Sequence, residues 1–358
     1  MHVQERTLLR LILATVFMLG LGLADVRAEN GKKLIEWGWD EPNPKFMREN
    51  ADKMETLPFD GFVFYVQTDD GFDASLKFWG APALDYAQFS AARSDLKAAH
   101  FTKLTDRFLR INVSPGPVDW FNDDQWTILL ANTRLMARLA RDSGAKGVLL
   151  DLETYGDQVF DYRKSKYVSS KTFDDHAQTV RQRAQDFMTA LNAEYPDITV
   201  FLSFGYYSFG PAGVQRATTQ YGLAANFVDG LLDAATDTTK IIDGWEISYY
   251  FTRREQFSVV KAMMSKELVA FSGNAAQYQK LVRPAFAVYM DRGYAVHGWN
   301  AELWWLNAFS PVQLTTQLEY AFEATDQYVW LYSEHPKWWT NENLSPDYIE
   351  AVRAARPK

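Results

Sequence analysis

Gly147-Val148-Leu149-Leu150-Asp151-Leu152-Glu153-Thr154-Tyr155-Gly156 sets two acids at i and i+2 at the end of an apolar run. Side chains two apart on a strand share a face, so Val148, Leu150 and Leu152 can pack on helices while Asp151 and Glu153 point into whatever the strand encloses. A plain reading competes: a shorter strand would leave the acids as solvated loop residues. What lies around the run decides between them.

Seven similar β-rich runs occur elsewhere, giving predicted strands at Leu34–Trp39, Phe62–Gln67, Phe108–Val113, Val148–Glu153, Val200–Gly205, Trp245–Phe251, Ala285–Asp291 and Val329–Glu334. Helical patterns separate them, among them Pro44–Thr56, Asn122–Ser143, Thr172–Glu194, Arg253–Phe271 and Pro311–Thr325. Alternation of this kind predicts an α/β chain folded as a single (β/α)8 barrel, with an open doubly wound sheet as the rival. Returns from helix to strand are short, whereas the segments after strands 2, 4, 5 and 7 are long. Long loops at the C-terminal ends of the strands are where barrel active sites are built.

Residues 1–28 have the pattern of an export signal: Arg6 and Arg10, an apolar stretch from Leu11 to Ala24, then Val26-Arg27-Ala28. The barrel is then residues 29–358, and the protein is expected to be periplasmic or extracellular, without a membrane segment after cleavage. The whole chain of 358 residues carries a formal charge of -8, which argues against nucleic acid as partner. With no cysteine, disulfides and thiolate chemistry are excluded. Aromatic residues make up 15% of the chain, including 12 Trp, more than a core requires. In an exported protein, such surfaces suit the apolar faces of sugar rings, so carbohydrate is the expected substrate and no cofactor is expected. Oligomeric state is not encoded in any pattern found.

Strand alternation, taking the more apolar set as outward, directs Glu36 and Asp40, Tyr65 and Gln67, Asn112, Asp151 and Glu153, Ser203 and Gly205, Glu246, Tyr289 and Asp291, and Trp330, Tyr332 and Glu334 inward. Crowded carboxylates raise one another's pKa, the condition a general acid needs near neutral pH. Glycoside hydrolysis requires one carboxylic acid to protonate the leaving oxygen and a second carboxylate as nucleophile or base. Glu153 is the expected proton donor and Asp151 its orienting neighbour. Glu334, Glu246 and Asp291 are the candidate partners, and a scheme with Asp151 as nucleophile and Glu246 as acid stays open. Substrate contacts are expected from Glu36, Trp39, Asp40, Tyr65, Gln67, Trp79, Asn112, Tyr155, Tyr206, Tyr250, Tyr289, Trp299, Trp330 and Tyr332.

The Gly147–Glu153 run resembles the end of strand 4 in the chitinase-type glycoside hydrolases of family 18, whose motif carries acids at three alternating positions and ends in the catalytic Glu. Asp151 and Glu153 match two positions, and Leu149 stands where the first Asp would be. The resemblance implies Glu153 as proton donor, Asp151 as the residue orienting the substrate's acetamido group, and Tyr249 or Tyr250 as a strand-6 tyrosine. Two other functions use the same features. A divalent-metal barrel enzyme would use the carboxylates as oxygen ligands, although the five His show no ligand spacing and no metal is expected. A non-catalytic carbohydrate-binding barrel would keep the aromatics without a competent acid pair.

Overall fold

The computed structural model describes residues 31–114, 116, 118–209 and 215–357. The export signal expected at 1–28 lies outside them. Nine parallel strands form one sheet: β1 (Lys33–Glu36), β2 (Gly61–Phe64), β3 (Asp106–Asn112), β4 (Gly147–Asp151), β5 (Thr199–Leu202), β6 (Lys240–Asp243), β7 (Val282–Pro284), β8 (Phe286–Tyr289) and β9 (Tyr328–Tyr332). Their order is β7-β6-β5-β4-β3-β2-β1-β9-β8. Only Ala285 separates β7 from β8, so the two are halves of one stave. The lower half pairs with β6 and the upper half with β9, which closes the ring. The sheet is therefore the expected eight-stave (β/α)8 barrel. Pro284 has no N–H to offer a ladder, and the Ala285 N–H goes to the Asp243 carbonyl at 2.8 Å, so the change of partner falls at this point.

Sequence signals account for the helix starts. Asn43, Asn122, Thr172 and Ser310 each accept a hydrogen bond from the first turn of the helix that follows, and Pro occupies the start of Pro44–Met54 and of Pro311–Ala324. Inside the barrel, Ile35, Trp37, Val63, Phe108, Leu149, Phe201, Ile242, Ala285, Ala287, Tyr328 and Trp330 form a buried plug. A larger apolar layer lies between barrel and helices, including Leu34, Phe62, Leu150, Leu152 and Val288. Among the described residues no helix is long and apolar enough to cross a membrane.

Two expectations need correction. The sixth strand is Lys240–Asp243, and the aromatic run Trp245–Phe251 lies beyond its end. There Trp245 takes a left-handed conformation (φ 41°) and Glu246–Tyr250 form a 3-10 turn. Ser248 stitches this turn to the barrel: its hydroxyl donates to the Ala287 carbonyl at 2.8 Å and accepts the Ala287 N–H at 2.7 Å. The second correction concerns β1, where Ile35 and Trp37 face inward and Glu36 outward. Trp37 packs on Trp330 inside the barrel, with ring centroids 4.8 Å apart. A barrel interior is itself apolar, so the more apolar set need not face the helices.

The foot of the site holds a buried acid whose effect on stability is separable. Asp243 is 1% exposed, and burial raises its pKa to about 7, with the Trp245 and Gly205 backbone opposing. A Cβ on Gly205 would lie 2.1 Å from Asp243 Oδ2, so glycine is what lets the carboxyl approach. Because the folded-state pKa is raised, the folded chain binds more protons than the unfolded one between the two values, and stability falls as pH rises through that window. Asp243→Asn is expected to remove about 2–3 kcal/mol of the stability difference between pH 5 and pH 8, measured by urea unfolding at each pH.

Candidate active site

At the C-terminal end of the strands, a polar chain runs across the barrel from β1 to β4. The Trp37 indole donates to Glu41 Oε1 at 2.7 Å, and Arg110 Nε donates to Glu41 Oε2 at 2.7 Å. Arg110 Nη1 donates to Asn112 Oδ1. A guanidinium has only donors, so it fixes the Asn112 amide with its NH2 turned away, and Nδ2 donates to Asp151 Oδ2 at 2.7 Å. Tyr155 OH donates to the same oxygen at 3.1 Å. Asp151 Oδ1 accepts the Ser203 hydroxyl at 3.2 Å and the Glu153 N–H at 3.0 Å. Burial lifts the Asp151 pKa to about 6, the Glu153 charge adds to that, and the Glu153 N–H, Tyr155 and Arg110 oppose it. With four donors on its two oxygens, Asp151 is an anchored carboxylate at neutral pH, with no proton to give.

Glu153 sits two residues beyond the end of β4 and is half-buried. Glu246, also half-buried, reaches the same locus from the turn after β6, held by Ser248 two residues on. Burial raises the Glu246 pKa well above that of an ordinary glutamate, and the charges of Glu153 and Asp151 add to the shift. The Tyr155 hydroxyl is raised by burial and then by Asp151, Glu153 and Glu246, so it faces all three carboxyls. Tyr207 and Tyr249 are raised by burial and next by the Glu246 charge. Here three acids sit in three environments.

Around this locus, Trp39, Tyr155 and Tyr250 are 66%, 57% and 57% exposed, so aromatic faces are presented to solvent. On the far side of Tyr249, which stacks on Tyr332 at 5.4 Å, lies Glu334. Tyr332 OH donates to Glu334 Oε1 at 3.2 Å. Tyr289 points inward from β8 beside the same pair. Tyr65 and Gln67, half-buried, follow β2, where Gln67 bridges to Asp73 near Arg110.

Other expected site residues have structural roles. Asp291 is 1% exposed and ties down the next loop by accepting the backbone N–H groups of Glu334 (3.1 Å) and His335 (2.8 Å). Glu36 is wholly buried outside the barrel, its pKa raised well above normal by burial and then by Asp40. Asp40 accepts the Trp339 N–H at 3.1 Å and belongs to that outer pair. Trp79 is 1% exposed and packed edge-on against Trp126. Tyr206 is buried on Asp229, Trp299 donates to the Asn343 carbonyl at 2.8 Å, and Trp330 donates to the Gly244 carbonyl at 2.8 Å on the barrel floor. Glu41 was not legible, since it lies past the strand where alternation says nothing. Among the described residues no group of three or more His, Cys, Asp or Glu is placed to hold a metal ion. A cavity of about 580 Å³ lined by Trp120, Asp157, Gln158 and Tyr167 lies beside the β4 loop and includes none of the three carboxyls.

No protein-family model and no curated protein sequence matches this chain. Solved structures resemble it in fold. A GH18 chitinase from Pseudoalteromonas aurantia is 13% identical, with a TM-score of 0.46, over 90% of this chain and 99% of the other. An endo-1,4-beta-mannanase from Eisenia fetida is 11% identical, with a TM-score of 0.48, over 92% of each. A sugar phosphate isomerase/epimerase from Parabacteroides distasonis is 9% identical, with a TM-score of 0.40, over 89% and 96%. A (β/α)8 barrel hosts many unrelated chemistries, so the chemistry has to be read from the residues.

Proposed function

We propose that the protein is an exported glycoside hydrolase acting on an oligo- or polysaccharide, with Glu153 and Glu246 as its acid/base pair and Asp151 as the anion that orients them. The observation that carries this reading is the convergence of three carboxyls in unequal environments. Asp151 is saturated with donors, whereas Glu153 and Glu246 are half-buried and open to a ligand. The Glu153 and Asp151 charges add to burial in raising the Glu246 pKa, which favours a proton at this locus. Burial favours Glu246 as its holder. In this reading Glu246 protonates the leaving oxygen, and Glu153 is nucleophile or base. That exchanges the roles expected from strand 4, where Glu153 was the donor.

A leaving-group experiment separates the two assignments. Aryl glycosides with a 2,4-dinitrophenyl group need little protonation on departure, so loss of the acid spares them and loss of the nucleophile or base does not. Across a panel of such glycosides, Glu246→Gln is expected to retain most of the wild-type kcat/KM on the dinitrophenyl glycoside while Glu153→Gln loses it, because kcat/KM reports the step in which the leaving group departs. The opposite pattern would return the donor role to Glu153. Absence of turnover by the wild-type protein on both the panel and a polysaccharide screen would end the hydrolase reading.

A further inference from the structure

Glu41 heads the polar chain that ends on Asp151, three hydrogen bonds away. Its two oxygens each take one donor, the Trp37 indole and Arg110 Nε, both at 2.7 Å. The Glu41 and Arg110 side chains are 11% and 13% exposed, so this charge-assisted pair is largely shielded from water. The main chain around Glu41 is fastened on both sides. The Trp39 N–H goes to the Ser333 carbonyl at 3.0 Å, Asp40 accepts the Trp339 N–H at 3.1 Å, and Pro42 and the Asn43 cap of Pro44–Met54 follow directly.

A carboxylate only accepts and a guanidinium only donates, whereas an amide can be turned either way. As it stands, Asn112 Oδ1 faces Arg110 Nη1, and Nδ2 donates to Asp151 Oδ2 at 2.7 Å. Turned over, Asn112 would set its NH2 against the guanidinium and its carbonyl oxygen against Asp151. Arg110 selects the first orientation only while Nη1 stays on Asn112. Because Arg110 also lies in the field of Asp73 and Asp151, it is Glu41 that keeps the guanidinium there. Asp151 Oδ1 in turn receives the Glu153 N–H at 3.0 Å, so the setting of Asn112 carries through Asp151 to the main chain that presents Glu153.

We propose that Glu41 is a positioning residue for the acid site: by holding the Arg110 guanidinium it fixes the Asn112 amide and, through Asp151, the placement of Glu153. The effect on turnover rests on the glycoside-hydrolase reading, and the arrangement of side chains does not. Two variants separate geometry from charge. Glu41→Gln keeps the shape of the side chain, but its NH2 faces one of two donors and Arg110 loses its neutralising charge. Arg110→Lys keeps the charge but has one nitrogen where Arg110 uses two.

The test is kcat and KM against pH on the best substrate of the polysaccharide screen, together with crystal structures, for wild type and both variants, with thermal melts as the folding control. Glu41→Gln is expected to lower kcat about ten- to a hundredfold with KM within about twofold, as displacement of a reacting group does. Its alkaline limb is expected to move to lower pH by about half a unit or more, because a cation freed of its partner favours ionised carboxyls. Glu246, which sets that limb, is surrounded by Glu153, Asp151 and the hydroxyls of Tyr155, Tyr207, Tyr249 and Tyr332, and Arg110 acts on this group through Asp151. Arg110→Lys is expected to lower kcat by a similar factor with the alkaline limb in place.

In Glu41→Gln crystals the guanidinium is expected to have left Asn112 for Asp73 or Asp151. Retention of the Arg110–Asn112 contact in that variant, an unmoved alkaline limb there, or kcat equal to wild type in either variant would each overturn the positioning role. If Glu41→Gln does not fold, Arg110→Lys decides by its kcat. If the wild type turns over no glycan, the hydrolase reading fails and the crystal structure alone decides whether Glu41 sets Asn112. An active wild type matched by Glu41→Gln removes the positioning role and leaves the hydrolase reading standing.

Discussion

Glu246→Gln is expected to lower kcat on a natural glycan by a factor of about 10² to 10⁴, the range associated with a positioned general acid. The same variant should shift the pH profile, because the raised Glu246 pKa comes from burial and from the neighbouring Glu153 and Asp151 charges. If Glu246 donates the proton, activity falls on the alkaline side as that group ionises, and the alkaline limb should disappear in the glutamine variant. The measurement is kcat and kcat/KM against pH on the best substrate from the polysaccharide screen. Unchanged kcat and an unchanged alkaline limb would remove Glu246 from the acid role. Glutamine keeps the shape of the side chain and leaves Ser248 untouched, so the turn after β6 is retained.

Trp79→Ala is expected to cost about 3–5 kcal/mol of stability, the usual range for emptying a buried Trp site. Trp79 packs among Trp120, Trp126, Phe187 and Phe227, with ring centroids 5.6–6.2 Å apart. The residue was expected to touch substrate because it lies on the long loop after the second strand. Its burial makes a different prediction: activity per folded molecule, measured below the unfolding transition, should match wild type. A selective rise in KM with unchanged stability would restore the substrate-contact role.

The βα rhythm was legible because short apolar runs and well-capped helices alternate eight times, and local signals such as Asn43-Pro44 and Ser310-Pro311 fix helix starts without tertiary help. Asp151 and Asn112 were legible for a similar reason: both end regular strands, where alternation holds. Alternation failed where the strand stopped early. Trp245–Phe251 is rich in β-favouring residues, yet the chain turns at Trp245, and the strand is the less conspicuous Lys240–Asp243. Glu36 was given the wrong face because the barrel interior competes with the helix layer for apolar side chains. Tyr206 and Trp299 show why loop aromatics are ambiguous, since long loops need their own rings to adhere to the body of the protein. Glu41 and the donor set on Asp151 depend on contacts between different staves, which no local pattern encodes.

The Ser248 stitch gives one wall of the mouth an unusual mechanical character. Where β6 has ended, the upper half of the seventh stave is joined to the Glu246–Tyr250 turn by the Ser248 hydroxyl and, past β8, by Arg292, whose Nη1 donates to the Tyr249 carbonyl at 2.9 Å, while Gln317 Nε2 braces the turn itself by donating to the Ser248 carbonyl at 3.2 Å. Side chains thus stand in for a main-chain ladder beside Glu246. A backbone ladder cannot be edited one residue at a time, but a side-chain fastening can. This segment of the rim is consequently where substitutions in the chain can widen or narrow the aperture, and move one carboxyl relative to the other, while the closure of the ring through β9 is left intact.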